Sequence, residues 1–360
     1  MKSIDTPAQA LAPGGVASFT APRGTVSHLT FPALARECGH SMAPLRSLRL
    51  EMNPYLKEYK WSNIGAMLKN NKATPKEEQK DFHGKLVVIT GATSGIGYET
   101  ARLYASHGAK LLVINRNKEK SELLKQEIER DFNVPCTCFI ADFSQLGQVH
   151  AAADMLADVD CDIAVLIHNA GVYNTKLRFT ADDIEEVFQV NYLASFIINY
   201  RLKEKLRQQG HGRIIYVNSE GHRFAIAGLR IDDLRWERHH YTGLKGYGSA
   251  KTAQLLSMFQ FSRYFQDSGV TINAMHPGDV RTNMGENNGR IYRFFKHLLI
   301  NPSARSPVLS AQALYYLGVS DDIEGITGKF FNFTTEEIPA PHALDTMMAQ
   351  KLWQLSLEMQ

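Results

Sequence analysis

The sequence has no long apolar run, little cysteine and almost no net charge, and each lack excludes something. No uninterrupted apolar segment approaches the roughly 20 residues needed to cross a bilayer, which argues against a transmembrane anchor. The four cysteines, Cys38, Cys136, Cys138 and Cys161, fall in no CxxC or Cys/His ligand spacing, and three of them flank or lie in apolar runs. They read as reduced, buried thiols of a cytoplasmic compartment, with no metal site among them. The 40 Lys and Arg against 37 Asp and Glu leave a formal net charge of +3, and no basic run offers a footprint for nucleic acid.

Acids are also scarce at the start, where residues 1–47 hold only Asp5 and Glu37 and are rich in Ala, Pro, Ser, Thr and Gly. This stretch is expected to be a poorly ordered arm. Its low acid content also suits an organelle-targeting peptide, against which stand Asp5 and the scarcity of arginine near the start. Over residues 54–69, Tyr55, Tyr59, Ile64, Met67 and Leu68 recur near helical spacing among lysines, with Trp61 beside them. Such a helix either packs on the main domain or lies on a membrane surface. A charged linker follows over residues 72–80, so the expectation is an extension over residues 1–83 and a catalytic domain over 84–360. A chain of this length buries a full core.

What is present begins with the stretch 85–97, a short β-branched run that stops abruptly at Gly91, Gly95 and Gly97. It predicts a buried strand, a tight turn and a helix. Glycines let the backbone approach a bound group, and a helix start offers unpaired N–H donors and a positive dipole end, so the loop suits phosphate. A P-loop needs Gly-Lys-Ser/Thr at its end, and this loop ends Gly-Ile-Gly-Tyr without the lysine. Beyond it, strands at about 110–114, 136–141, 163–167, 213–217 and 270–275 alternate with helical segments, one of them long and opened by Asp182. That alternation predicts an α/β fold, a doubly wound parallel sheet of about seven strands with helices on both faces. Polar clusters follow the strands, at the edge where open α/β sheets bind ligands.

Thr90-Gly91-x-x-x-Gly95-x-Gly97 resembles the cofactor loop of the short-chain dehydrogenase/reductase superfamily, a Rossmann-type fold. The same order continues with Asp142, Asn169-Ala170-Gly171, Ser219 and Tyr247-Gly-Ser-Ala-Lys251, and the resemblance runs from residue 85 to the C-terminus. Ser219-Glu-Gly-His-Arg-Phe224, Asn273-Ala-Met-His-Pro-Gly278 and residues 351–356 are similar to retinol dehydrogenase-like and WW-domain oxidoreductase-like members. The chain departs from them in its N-terminal arm, in Asn218 where a serine is common and in His168 where an asparagine is.

The residue types agree with that chemistry. Tyr247 and Lys251 are four apart, so on a helix they share a face. A lysine cation at about 4 Å contributes on the order of 4 kcal/mol at an effective dielectric near 20, enough to bring a tyrosine pKa of about 10 toward neutrality. The resemblance implies that Tyr247 exchanges a proton with the substrate oxygen, Ser219 orients that oxygen, Lys251 also holds the nicotinamide ribose and Asn191 anchors a water relay. It likewise implies cofactor contacts from Thr90, Gly91, Ser94, Gly95, Ile96, Gly97, Ala170, Gly171, Pro277 and Gly278. Asp142 would bond the adenine or cap a helix, Asn169 would pin strands or approach the cofactor, and Thr282 would meet the carboxamide. An acid at the end of the second strand would favour NAD(H), but Asn115-Arg116 stands there with Lys118 close by. NADP(H) is therefore expected, with NAD(H) as the alternative.

Residues 279–318 are expected to form a substrate lid, in which Ile291, Phe294, Phe295, Leu298 and Leu299 make an apolar stripe. An apolar lid favours a lipophilic carbonyl or alcohol such as a retinoid, steroid or long aldehyde. The function expected is an NADP(H)-dependent oxidoreductase acting on a small molecule. A non-catalytic NADP(H)-sensing scaffold and a protochlorophyllide reductase-like enzyme are the alternatives. Peripheral membrane contact and a homo-oligomer stay open at this point.

Overall fold

Strand β1 (Leu86–Thr90) is buried at every position, as its unbroken apolar run requires of a central strand covered on both faces. Val87, Val88 and Ile89 are fully buried, each worth about 1.5–3 kcal/mol in apolar area removed from water. The computed structural model describes residues 54–71, 73–278 and 305–360. Around β1 stand β2 (Lys110–Asn115), β3 (Cys136–Ile140), β4 (Ile163–His168), β5 (Gly212–Val217), β6 (Val270–His276), β7 (Phe330–Asn332) and β8 (Thr335–Glu337). Their spatial order is β3-β2-β1-β4-β5-β6-β7-β8. Among the described residues seven strands run parallel, as expected, and only β8 is antiparallel, in a tight pairing with β7.

Helices α2 (Gly95–Ser106) and α3 (Lys118–Phe132) cover one face, α4 (Leu146–Ala157) the other. The long helix after β4 starts at Glu186 instead of Asp182. Asp182 accepts instead from Leu146 N (2.8 Å), and the Glu185 carboxylate caps the helix by accepting from Val187 N and Phe188 N. This helix is α5 (Glu186–Phe188), a π-helical turn (Gln189–Leu193) and α6 (Ala194–Gln209). Helix α7 (Gly243–Tyr264), capped by Thr242, packs beside it, with α9 (Thr346–Glu358) beyond.

Two further expectations change. Residues 305–318 do not belong to a lid, because α8 (Pro307–Val319) buries Leu314, Tyr315 and Leu317 against α2 in the core. The remaining lid residues, 279–304, with Thr282 and the apolar stripe, lie outside the described residues, as do Cys38 and the arm at 1–47. Of the two readings of the helix in the extension, packing on the main domain is the one seen: the compact unit is Glu51–Gln360, and α1 (Trp61–Asn70) packs against β8. The second change is at the cysteines: Cys161 is exposed, while Cys136 is buried and the Cys138 thiol donates to Ser121 O (3.3 Å). Among the described residues no helix is long and apolar enough to cross a membrane.

Candidate active site

The carboxyl ends of the parallel strands open into a cleft of about 980 Å³. On the β1 side the glycine loop forms its floor. Gly91 takes φ +71°, and a Cβ there would lie 2.9 Å from Ala170 Cα. A Cβ on Gly97 would lie 2.3 Å from Gly91 O and 2.4 Å from Asn169 Nδ2, so α2 approaches the turn only because residue 97 has no side chain. Gly91, Ser94, Gly95 and Ile96 line the cleft. Thr90 and Gly97 stand behind it. Thr90 Oγ1 accepts from Asn169 N and Ala170 N (both 3.0 Å), and Asn169 Nδ2 donates to Gly91 O (2.8 Å), which ties the end of β4 to the end of β1.

The second-strand residues divide. Asn115 is buried and its Oδ1 accepts from Ala92 N (2.6 Å), so it braces the glycine turn. Arg116 is exposed at the cleft, joined by Lys120 instead of Lys118. Asp142 lines the cleft and turns its own backbone, its Oδ1 accepting from Ser144 N (3.0 Å) and Ser144 Oγ (2.8 Å). Asn169, Ala170, Gly171, Pro277 and Gly278 complete the rim.

Ser219, Tyr247 and Lys251 meet in the same cleft. Ser219 ends the loop after β5, and its Oγ accepts from Gly221 N (2.9 Å). The Tyr247 ring rests against Gly221, where a Cβ would lie 2.7 Å from Tyr247 Cε1, and edge-on against Tyr173 at 5.7 Å between centroids. Lys251 Nζ lies 5.6 Å from the Tyr247 ring centroid, yet it donates to Val217 O (2.8 Å) and Gln254 Oε1 (3.1 Å). The surroundings of the ring oppose the expected lowering of the tyrosine pKa. Burial pushes Tyr247 up to about 12, against a Ser219 hydrogen bond that lowers it, and burial alone pulls Lys251 down to about 7. Desolvation dominates at both groups, and the ammonium is turned toward the backbone of β5.

Asn191 is buried in the π-helical turn, next to the cleft-lining Val190, and accepts from Val172 N (2.7 Å) and donates to Val172 O (3.0 Å). Its own carbonyl accepts from Gln254 Nε2 (2.6 Å), so Gln254 connects Asn191 to Lys251. Asn218 Nδ2 donates to Lys251 O and Gln254 Oε1 (both 3.0 Å) and its Oδ1 accepts from Ser219 N (2.8 Å). Gln254 lies seven after Tyr247 and three after Lys251, a helical spacing that was the only sequence signal for it.

A charged group that no sequence motif marks stands beside Ser219. Arg223 bonds Glu220 and reaches Glu337 Oε1 at 2.9 Å. Burial raises Glu220 to about 7, and His276, whose Nδ1 accepts from Glu220 N (3.3 Å), is pulled down to about 3. His168 serves the core: it bonds Asn199 Oδ1 (2.7 Å) and burial holds its pKa at about 4.

A glycine cradle at one end of a parallel sheet's carboxyl edge, with a half-buried tyrosine and a buried lysine farther along it, defines a Rossmann-type nucleotide-binding oxidoreductase. The family model described as short chain dehydrogenase matches residues 85–230. Retinol dehydrogenase 13 of Homo sapiens is 33% identical over 276 residues, covering 75% of this chain and 82% of the relative. WW domain-containing oxidoreductase of Danio rerio is 31% identical over 284 residues, covering 77% of this chain and 68% of the relative. A solved short-chain dehydrogenase from Sphingobium yanoikuyae, in complex with NADPH, shares the fold with a TM-score of 0.55 at 22% identity, covering 76% of this chain and 94% of that one. The chain belongs to the short-chain dehydrogenase family, among its retinol dehydrogenase-like members.

Proposed function

We propose that the protein is an NADP(H)-dependent oxidoreductase that interconverts a carbonyl and an alcohol on a small lipophilic substrate. The observation that carries this reading is the meeting of Ser219, Tyr247 and Lys251 in one cleft with the glycine cradle. Gly97 lets α2 close on the Gly91 turn, and Gly91, Ser94, Gly95 and Ile96 line the cleft at the start of α2, which fits a pyrophosphate held against the backbone there. Arg116 and Lys120, with no carboxylate turned into the cleft at the end of β2, suit a 2′-phosphate. The bound nicotinamide would supply or accept hydride.

The chain's own residues handle the proton. In the reducing direction Tyr247 Oη gives its proton to the carbonyl oxygen, and Ser219 Oγ orients that oxygen and stabilises its developing charge. A tyrosine held near 12 keeps its proton at neutral pH and is a poised donor toward an alkoxide-like oxygen. Lys251 then stabilises the tyrosinate. Val172, Tyr173, Val190 and the half-exposed Phe224 and Leu244 line the cleft, which suits a lipophilic substrate. The test is NADPH absorbance over retinal, steroids, aldehydes and quinones, wild type against Tyr247→Phe. The variant is expected to lose on the order of 10²–10⁴ in kcat, and equal rates would remove the mechanism.

A further inference from the structure

Helix α1 lies outside the residues that the family model matches, 85–230, yet Met67 and the adjoining Asn71 line the same cleft as Ser219 and Tyr247. The contacts of this segment place it along the sheet. Asn332 Nδ2 donates to Asn71 Oδ1 at 2.7 Å, and Asn332 pairs with His276 in the β6–β7 register. Asn70 Nδ2 donates to Glu337 Oε2 at 3.1 Å. Glu337 also receives Arg223, whose other partner is Glu220, the neighbour of Ser219.

The segment is held at both ends. Tyr55 OH donates to Asp345 Oδ2 (2.8 Å), Tyr59 OH bonds His342 Nδ1 (3.2 Å), and a Cβ on Gly228 would meet the Tyr55 ring at 2.8 Å. Past the helix, Arg305 Nη1 donates to Ala73 O (2.6 Å) and Lys76 N to Thr334 Oγ1 (2.9 Å). All these partners lie on the β6–β8 flank or the loops beside it. Asn115 and Asp142 follow β2 and β3, at the opposite end of the strand order. A cofactor whose adenosine end lay over β2 and β3 would therefore reach the catalytic residues from the side away from α1, and a substrate tail directed away from it would meet α1.

We infer that Met67 and Asn71 form the far wall of the substrate end of the cleft and set the length of apolar tail that it accepts. This rests on the carbonyl–alcohol reading above. Asn71 is fixed by Asn332, so the end of the helix is a rigid stop. Met67 supplies an unbranched, polarisable surface that adapts to an alkyl or polyene chain.

The test compares Met67→Trp with wild type on propanal and on retinal. The KM for retinal is expected to rise about tenfold while that for propanal and the Kd for NADPH stay within about twofold. An equal change in both KM values, or a change in neither, would overturn the wall. A second measurement needs no turnover: in protein labelled with ¹³C-methyl methionine, the Met67 signal, assigned by its loss in Met67→Leu, is expected to shift on adding retinal to the NADP⁺ complex. A Met67 signal that retinal leaves in place would also overturn it. No NADPH oxidation together with a shifted Met67 signal would instead remove the carbonyl–alcohol reading and leave the wall standing.

Discussion

Gln254 accepts a hydrogen bond from Lys251 Nζ at 3.1 Å with one end of its amide, while the other end donates to the Asn191 carbonyl at 2.6 Å. One buried side chain thus orients the lysine and closes the π-helical turn. Such turns interrupt helices at functional sites, since the extra residue redirects the groups on either side.

Replacing Gln254 by Leu strips Lys251 and Asn218 of a shared acceptor in a buried setting, where each orphaned donor costs about 1–3 kcal/mol. The expected result is a fall in kcat of about tenfold or more with the NADPH Kd within about threefold. Steady-state kinetics beside a nucleotide-binding titration checks this, and an unchanged kcat would remove Gln254 from the machinery.

Gly221→Ala places a Cβ 2.7 Å from Tyr247 Cε1 in a well-packed setting. The ring must shift, and a displacement near 1 Å costs on the order of 10²-fold in rate. The expected signature is a loss of kcat at unaltered cofactor affinity. A fully active alanine variant would mean that the ring position is not critical.

Arg116→Asp puts a carboxylate where a 2′-phosphate would sit. We expect the KM for NADPH to rise by about tenfold to a hundredfold while that for NADH holds or falls. Michaelis constants for both cofactors decide it, and a wild-type preference for NADH would refute the cofactor assignment.

Lys251 gives a signed pH dependence. Its pKa falls from the ordinary 10.5 to about 7 on folding, so between those values the unfolded chain binds the extra proton and stability rises with pH. Below about pH 7 the full cost of burying the cation is present. Lys251→Met is therefore expected to raise Tm by at least ~3 °C at pH 6, with the gain shrinking toward pH 10. Thermal melts at pH 6, 8 and 10 measure it; a difference independent of pH would contradict the burial of a titrating lysine.

Much of the site was legible because its elements are local. The run 86–90 with its glycines marked a strand, a turn and a helix start, and alternating segments marked a parallel sheet, since periodicity and turn chemistry act over a few residues. Tyr247 and Lys251 were legible as a pair because the helix puts residues four apart on one face.

By itself, the sequence determined the glycine cradle, the strand succession and the set Ser219, Tyr247 and Lys251. Only the tertiary structure decided what surrounds them. The direction of the Tyr247 shift depends on how completely the fold excludes water there, and no spacing encodes that. Arg223 meets Glu337 across 114 positions of chain, and Met67 reaches the cleft only because α1 docks on β8. Contacts at such separations arise from the packing of whole elements, so the protein's own wall around a family site became visible only once the chain was folded.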